Sequence, residues 1–244
     1  MGSRLIWVAA FVALSWGCAE GSLESGSNGA GGEMGGALPM TGTGGTITPP
    51  AAGGMPSPGT GGTPLMPPSM GPLDPSLPPG TIVLTTSLGQ ITLVLDAQNA
   101  PNTVANFKSY VDEGFYDGDD GNEKTTFHRV ISGFMIQGGG VKLNGQLKAT
   151  RAPIPHEGNT GISNGRGTIA MARTAAPDSA TSQFFINHVD NAALDFISPE
   201  EPGYVAFGRV TEGMDVVDAI AAVETGAMDV PVTAVTIDDV RRGP

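Results

Sequence analysis

The order of apolar and polar residues divides this chain near residue 80. Beyond it, apolar positions recur with a period; before it they do not. Ile82-Val83-Leu84 and Ile91-Thr92-Leu93-Val94-Leu95 predict two strands, joined through Ser87-Leu88-Gly89-Gln90 as a hairpin. Pro101-Asn102-Thr103 opens a helix. Val104, Phe107 and Val111 follow at i, i+3 and i+7, with Tyr110 beside them, and Gly114 ends it. Short strands are predicted around 125–130, 134–138, 168–172, 183–187 and 204–210. A second helix runs from Met214 to about Val223, with Val216, Val217 and Ile220 inward and Asp215 favourable in its first turn. Val232 to Val240 alternates as a final strand. Many short strands with two helices suggest a closed antiparallel barrel with helical caps, though spacing alone does not separate that from an open sandwich.

Composition sharpens the division. Residues 19–80 are rich in Gly, Pro, Thr, Ser and Met and contain no Lys, Arg or aromatic residue. Such a segment cannot bury enough apolar surface to offset its ordering entropy. It reads as a linker, flexible where Gly-rich and stiffer in Pro-rich parts such as Pro64 to Pro79. About 60 residues of coil reach roughly 40–45 Å. The full chain carries a formal charge of −12. Residues 81–244 hold 11 Lys and Arg against 20 Asp and Glu. That excludes nucleic acid as the main partner, because phosphate binding needs a cationic patch.

Met1 to Gly17 carries one positive residue, Arg4, and then an apolar run from Leu5 to Leu14. The run is too short to span a bilayer and predicts a secretory signal peptide over 1–17. Cys18 stands where a bacterial lipoprotein signal places its lipidated cysteine. Gly17 fits that pattern; Ser15 and Trp16 depart from it, and cleavage after Ala19 is the rival. As the chain's one cysteine, Cys18 excludes an intrachain disulfide and a cysteine-based metal site. The expected layout is a signal peptide over 1–17, a linker over 18–80 and a folded domain over 81–242.

Several motifs carry no chemistry on inspection. Gly161-Ile162-Ser163-Asn164-Gly165 matches a nucleophile elbow, but polar residues precede it and Gly-Arg-Gly follows, where a strand and a helix are required. His128, His156 and His188 lack a metal-ligand spacing. Asp117 to Glu123 is a dense acidic turn without the spacing or the sixth-position glycine of a calcium loop, and is expected to be solvated.

The informative stretch is Phe127-His128-Arg129-Val130-Ile131-Ser132-Gly133-Phe134-Met135-Ile136-Gln137-Gly138-Gly139-Gly140. It places one fixed cation, bulky apolar side chains and an amide within nine residues. Strand alternation separates Phe134 and Ile136 from Met135 and Gln137, so a strand end or bulge is needed to bring Phe134, Met135 and Gln137 together. The glycine run is expected to let the backbone turn or pass close to a ligand.

This stretch resembles the signature of the cyclophilins, the peptidyl-prolyl cis-trans isomerases with an eight-stranded barrel. Gly167-Thr168-Ile169-Ala170-Met171-Ala172-Arg173, Ser182-Gln183-Phe184-Phe185-Ile186-Asn187 and Val205-Ala206-Phe207-Gly208-Arg209-Val210 agree with it in order and spacing, most closely with bacterial members. The resemblance covers about residues 81–241. It implies a closed eight-stranded barrel with two helices, isomerase activity and no metal or cofactor. By the same resemblance Arg129 matches the catalytic arginine, and Phe134, Met135, Phe185 and Leu194 match the proline pocket. Gln137 matches the amide that binds substrate backbone, Ala172 and Arg173 the edge that pairs with the peptide, and Gln183 a lining amide. His128 is a neighbour of the arginine. Tyr204 stands where many members have His, and Ala193 where many have Trp. The expected partners are proline-containing segments of unfolded or envelope proteins, with a membrane reached through Cys18; a monomer is expected. A non-catalytic proline-peptide binding module and a structural envelope lipoprotein are the alternatives.

Overall fold

The computed structural model describes residues 78–243. The signal peptide over 1–17, Cys18 and nearly all of the 18–80 linker lie outside the described residues. The elements are β1 (Thr81–Thr86), β2 (Gly89–Leu95), α1 (Pro101–Asp112), β3 (Thr125–Ile131), β4 (Met135–Lys142), β5 (Thr168–Met171), β6 (Phe184–Asn187), β7 (Ala206–Glu212), α2 (Met214–Ala221) and β8 (Val235–Arg242), with short 3-10 turns between them. The strands close into an antiparallel barrel in the order β1-β2-β7-β5-β6-β4-β3-β8. Closure leaves no unpaired sheet edge.

The first hairpin forms as the turn residues predict, with Thr86 paired to Gly89 across Ser87-Leu88. Helix α1 begins at Pro101, whose missing N–H costs nothing in a first turn. Glu157 caps it from a distant loop, accepting the N–H groups of Asn102 and Thr103 at 2.8 Å each. Its inward face is the expected one: Val104, Phe107, Tyr110 and Val111 are buried. Phe107 packs in the barrel interior with ring centroids 5.3 Å from Tyr116, 5.5 Å from Phe184 and 5.3 Å from Phe207. Helix α2 packs against β2, β3 and β4 and buries Val217, Ile220 and Ala221. Val216, expected inward, is only half-buried and packs at the edge of the core beside Gly89.

Three expectations are corrected. Strand β4 starts one residue after Phe134, so Phe134 belongs to the tight turn in which its N–H donates to Ile131 O at 3.0 Å. The run Gly138-Gly139-Gly140 lies inside β4, and its missing Cβ atoms make room for protein. A Cβ on Gly139 would lie 2.7 Å from the Phe184 ring and one on Gly140 2.3 Å from the Gln183 side chain. The acidic turn is not simply solvated. Asp117 is buried and accepts the Val240 N–H at 2.9 Å, and the ammonium of buried Lys148 reaches into the turn beside Asp120.

Candidate active site

Strand alternation assigns one side chain in two to the barrel interior, and the rest should meet solvent. On β4, β5, β6 and β7 they do not. Ile136, Ile169, Phe184, Ile186 and Phe207 fill the interior, while Met135, Ala170, Phe185 and Ala206 form a second buried cluster on the outer wall. Ala172 belongs to it, and Ile131, Phe134, Ile162, Leu194 and Tyr204 pack against it. The buried cluster stands on rigid strands, and the half-buried Phe134, Leu194 and Tyr204 bring it to the surface at its rim.

Pairing register turns this patch into an ordered row. Arg129 on β3 lies opposite Gln137 on β4. Gln137 lies opposite Phe185 on β6, Phe185 opposite Ala170 on β5, and Ala170 opposite Ala206 on β7. At about 4.8 Å per strand, cation, amide, aromatic ring and two small floor residues follow one another across the wall.

The row depends on a bulge. Phe127 pairs with Gly138 but Arg129 pairs with Gln137, so β3 holds one extra residue between them. Without it His128 would oppose Gln137, and Arg129 would face the interior beside Ile136. The bulge re-aims Arg129 outward while Phe127 and Val130 stay in the core. The strand end does the corresponding work for Phe134. His188 N–H and Asn191 Nδ2 donate to Phe134 O at 3.0 and 2.9 Å and fix that turn against the end of β6.

Gln137 is buried and donates through Nε2 to Gln183 Oε1 at 2.9 Å. Its own Oε1 is buried with no hydrogen-bond partner among the described residues. His128 lies next to Gln183. Burial lowers its imidazole pKa to about 4, against the opposing hydrogen bonds with Thr126 and Gln183, and the Arg129 charge adds to the lowering. It is therefore neutral near pH 7.

The far side is closed by Leu194 and Tyr204. The Tyr204 N–H donates to Leu194 O at 2.8 Å, and buried Asn164 donates to both carbonyls at 3.1 Å. The Tyr204 ring meets Phe185 edge-on at 5.6 Å and lies under the Arg173 guanidinium at 4.7 Å. Burial raises the Tyr204 phenol, while the charges of Arg173 and Arg129 pull the other way.

Arg129, His128, Phe134, Met135, Gln137, Gln183, Phe185, Leu194, Tyr204, Ala172 and Arg173 therefore meet around one surface. Two placements qualify the expectation. The Ala172 N–H is already donated to Gln183 O at 2.9 Å, so it is not available to pair with a peptide. Ala193 sits exposed on the short 192–194 turn, with only its neighbour Leu194 packed on the cluster. Sequence reasoning missed Ala170, Ala206, Ile131 and Ile162 as floor and rim, and Asn164 and Asn191 as supports. Small residues alternating with large ones in β5 and β7 were the available signal.

Ser163, His156 and His188 are not members of this row. The Ser163 hydroxyl donates to Asp195 at 2.6 Å on an exposed loop, in no elbow. His156 accepts the Gly158 N–H and His188 the Gly133 N–H, each at 3.0 Å. Among the described residues no group of three or more His, Cys, Asp or Glu is arranged to hold a metal ion.

Residues 81–242 match the family model described as cyclophilin type peptidyl-prolyl cis-trans isomerase/CLD. A peptidyl-prolyl cis-trans isomerase of Streptomyces antibioticus is 53% identical over 167 residues, 66% of this chain and 97% of that protein. Peptidyl-prolyl cis-trans isomerase B of Escherichia coli K12 is 49% identical over 165 residues, 65% of this chain and 97% of that protein. Among solved structures, a Cryptosporidium parvum cyclophilin type isomerase, crystallised in the presence of the dipeptide Ala-Pro, superposes with a TM-score of 0.54 at 22% identity, over 67% of this chain and 99% of that one.

Proposed function

The chain belongs to the cyclophilin-type peptidyl-prolyl cis-trans isomerases, and from that premise we propose that Arg129 is the catalytic cation and that the outer-wall cluster takes the proline ring of exported or envelope proteins. The observation that carries the site is the cross-strand row Arg129–Gln137–Phe185–Ala170–Ala206.

Amide resonance sets a barrier of about 18–20 kcal/mol to turning a prolyl bond. No covalent step is needed to lower it. The catalyst has to hold the ring, leave one side of the bond free to rotate, and favour the twisted state over both planar ones. Phe134, Met135, Phe185, Leu194 and Tyr204 offer an apolar seat, and the small side chains of Ala170 and Ala206 leave room at its floor. Gln137, next to Arg129 in the row, is the amide that holds the backbone of the bound chain and fixes one side of the bond. As the bond twists, the prolyl nitrogen loses conjugation and gains a lone pair. The Arg129 guanidinium, always charged and rich in donors, stabilises that nitrogen. The apolar surroundings strengthen the interaction by lowering the local polarity. His128, neutral near pH 7, adds no competing charge.

An apolar leader over 1–17, Cys18 and the 18–80 linker support an exported domain, residues 81–242, tethered by lipid at Cys18. The linker's reach would let the pocket search for clients some tens of ångströms from a membrane.

The decisive experiment compares full-length wild type and Arg129→Ala in a peptide isomerisation assay. Loss of the cation should reduce kcat/KM roughly 30- to 1000-fold, equivalent to about 2–4 kcal/mol of transition-state stabilisation, with the fold intact. A folded Arg129→Ala protein of near-normal turnover would remove the assigned role.

A further inference from the structure

Among the described residues, only Met228 and Asp229 combine a side chain with left-handed backbone, at φ 60° and 61°. Glycine fills every other such position there. The two residues are the centre of a tight reverse turn, Ala227 to Val230, in which the Val230 N–H donates to Ala227 O at 3.4 Å. Gly226 N–H to Val230 O at 2.8 Å and Val232 N–H to Glu224 O at 2.9 Å tie the flanks together like a small hairpin. Two consecutive positive φ values define a type I′ turn, for which Asn-Gly is the unstrained choice. A chain that uses glycine so freely elsewhere holds Met-Asp here, where the Cβ atoms crowd the backbone. Strain accepted at a turn points to a side chain wanted in that place.

The side chain is Asp229. Arg129 Nε donates to its Oδ2 at 3.4 Å. The turn immediately precedes β8, which pairs with β3 at Thr126 and Phe127. The carboxylate therefore meets Arg129 from the side opposite Gln137 and closes the cross-strand row at its cationic end. We propose that Asp229 is a positioning residue for the isomerase reaction. It steers the bulged Arg129 at Nε and keeps the guanidinium over the row. This rests on the reading of Arg129 as the catalytic cation.

Two effects oppose each other. The carboxylate fixes orientation, which favours catalysis, and its charge offsets part of the arginine's, which does not. The side chains are 31% and 44% exposed, so water screens the charge effect. Orientation is short-ranged and unscreened, and it dominates.

The test uses full-length protein with Asp229→Gly, which suits the left-handed turn, and Asp229→Asn, which keeps a hydrogen-bond acceptor without the charge. Asp229→Gly should lower kcat/KM about 5- to 50-fold, since small misplacements of a catalytic group are costly. The loss should fall on kcat, with KM changed by less than about twofold. Asp229→Asn should retain more activity than Asp229→Gly, and the melting temperature of Asp229→Gly should equal or exceed that of wild type. In an Arg129→Ala background neither substitution should change the remaining rate, because they act only through the arginine. Unchanged or raised kcat/KM in both Asp229 variants, or an equal loss in the Arg129→Ala background, overturns the proposal. Arg129→Ala separates this failure from that of the parent reading: if that variant loses activity while both Asp229 variants keep it, only the positioning role falls.

Discussion

Lys148 gives the sharpest stability prediction. Only 6% exposed, it extends its ammonium under the acidic turn. Its Nζ donates to Phe115 O at 2.5 Å, Asp120 Oδ1 at 3.0 Å and Glu123 O at 3.2 Å, and lies 4.6 Å from the centre of the Phe115 ring. All three donors are thus in use, on groups that bracket the turn. Lys148→Met keeps the aliphatic stem but leaves two carbonyls and a carboxylate without their cation. Breaking a fully buried pair costs about 3–5 kcal/mol, and an unsatisfied buried acceptor about 1–3 kcal/mol. Asp120 keeps contact with water, which offsets part of this, so a net loss of about 2–4 kcal/mol is expected. For a domain of this size that lowers the melting temperature by roughly 5–12 °C. Asp120 supplies a second readout. Burial raises its carboxyl, but the Lys148 and Asn122 hydrogen bonds prevail and lower it below its usual 3.8. A depressed carboxyl stabilises the fold above its unfolded value and loses that contribution as pH falls through the folded one. Wild type should therefore lose stability from this site only below about pH 4, and Lys148→Met should lose less there. Calcium should leave wild type unaffected, because the ammonium already occupies the turn; a calcium site at 100 times its Kd would add about 2.7 kcal/mol. Denaturation scans of both proteins, with and without calcium, decide it. A melting temperature within 2 °C or so of wild type in Lys148→Met, or a clear calcium-dependent rise in wild type, would refute the internal-cation account.

Two further outcomes follow from His128 and Cys18. Because burial holds the His128 imidazole at about 4 in the fold, the unfolded chain binds more protons between roughly pH 4 and 6.5. Stability should therefore fall by up to about 2 kcal/mol between pH 7 and pH 5, and His128→Gln should flatten that slope in urea titrations; equal slopes would show that His128 is not the group responsible. For anchoring, the wild-type chain should partition into detergent and carry lipid on Cys18, and Cys18→Ala should not. Mass spectrometry of an unmodified mature chain beginning at Glu20 would instead establish ordinary secretion.

Much of the fold was open to a reading of local order. Hairpin β1–β2 follows from two short apolar runs and the turn signal at Ser87-Leu88-Gly89-Gln90 between them, and α1 from Pro101 and the spacing of Val104, Phe107 and Val111, because these signals act between residues a few positions apart. The identity of the site residues was legible too, since Arg129, Phe134, Met135, Gln137 and Phe185 stand in motifs whose order and spacing survive in one dimension. Their assembly was not. Periodicity gives each strand two faces without saying which becomes the interior, and on β4–β6–β5–β7 both faces are apolar, so only barrel closure distinguishes core from pocket. A one-residue bulge at His128 reverses the side on which Arg129 emerges, and alternation alone would have sent it inward. The partners joined across long sequence separations were equally hidden: Lys148 with Asp120, Glu157 at the start of α1, and Asp229 against Arg129. Each is a polar pairing fixed by where loops dock. The energy of such contacts comes from geometry that exists only after the strands have closed.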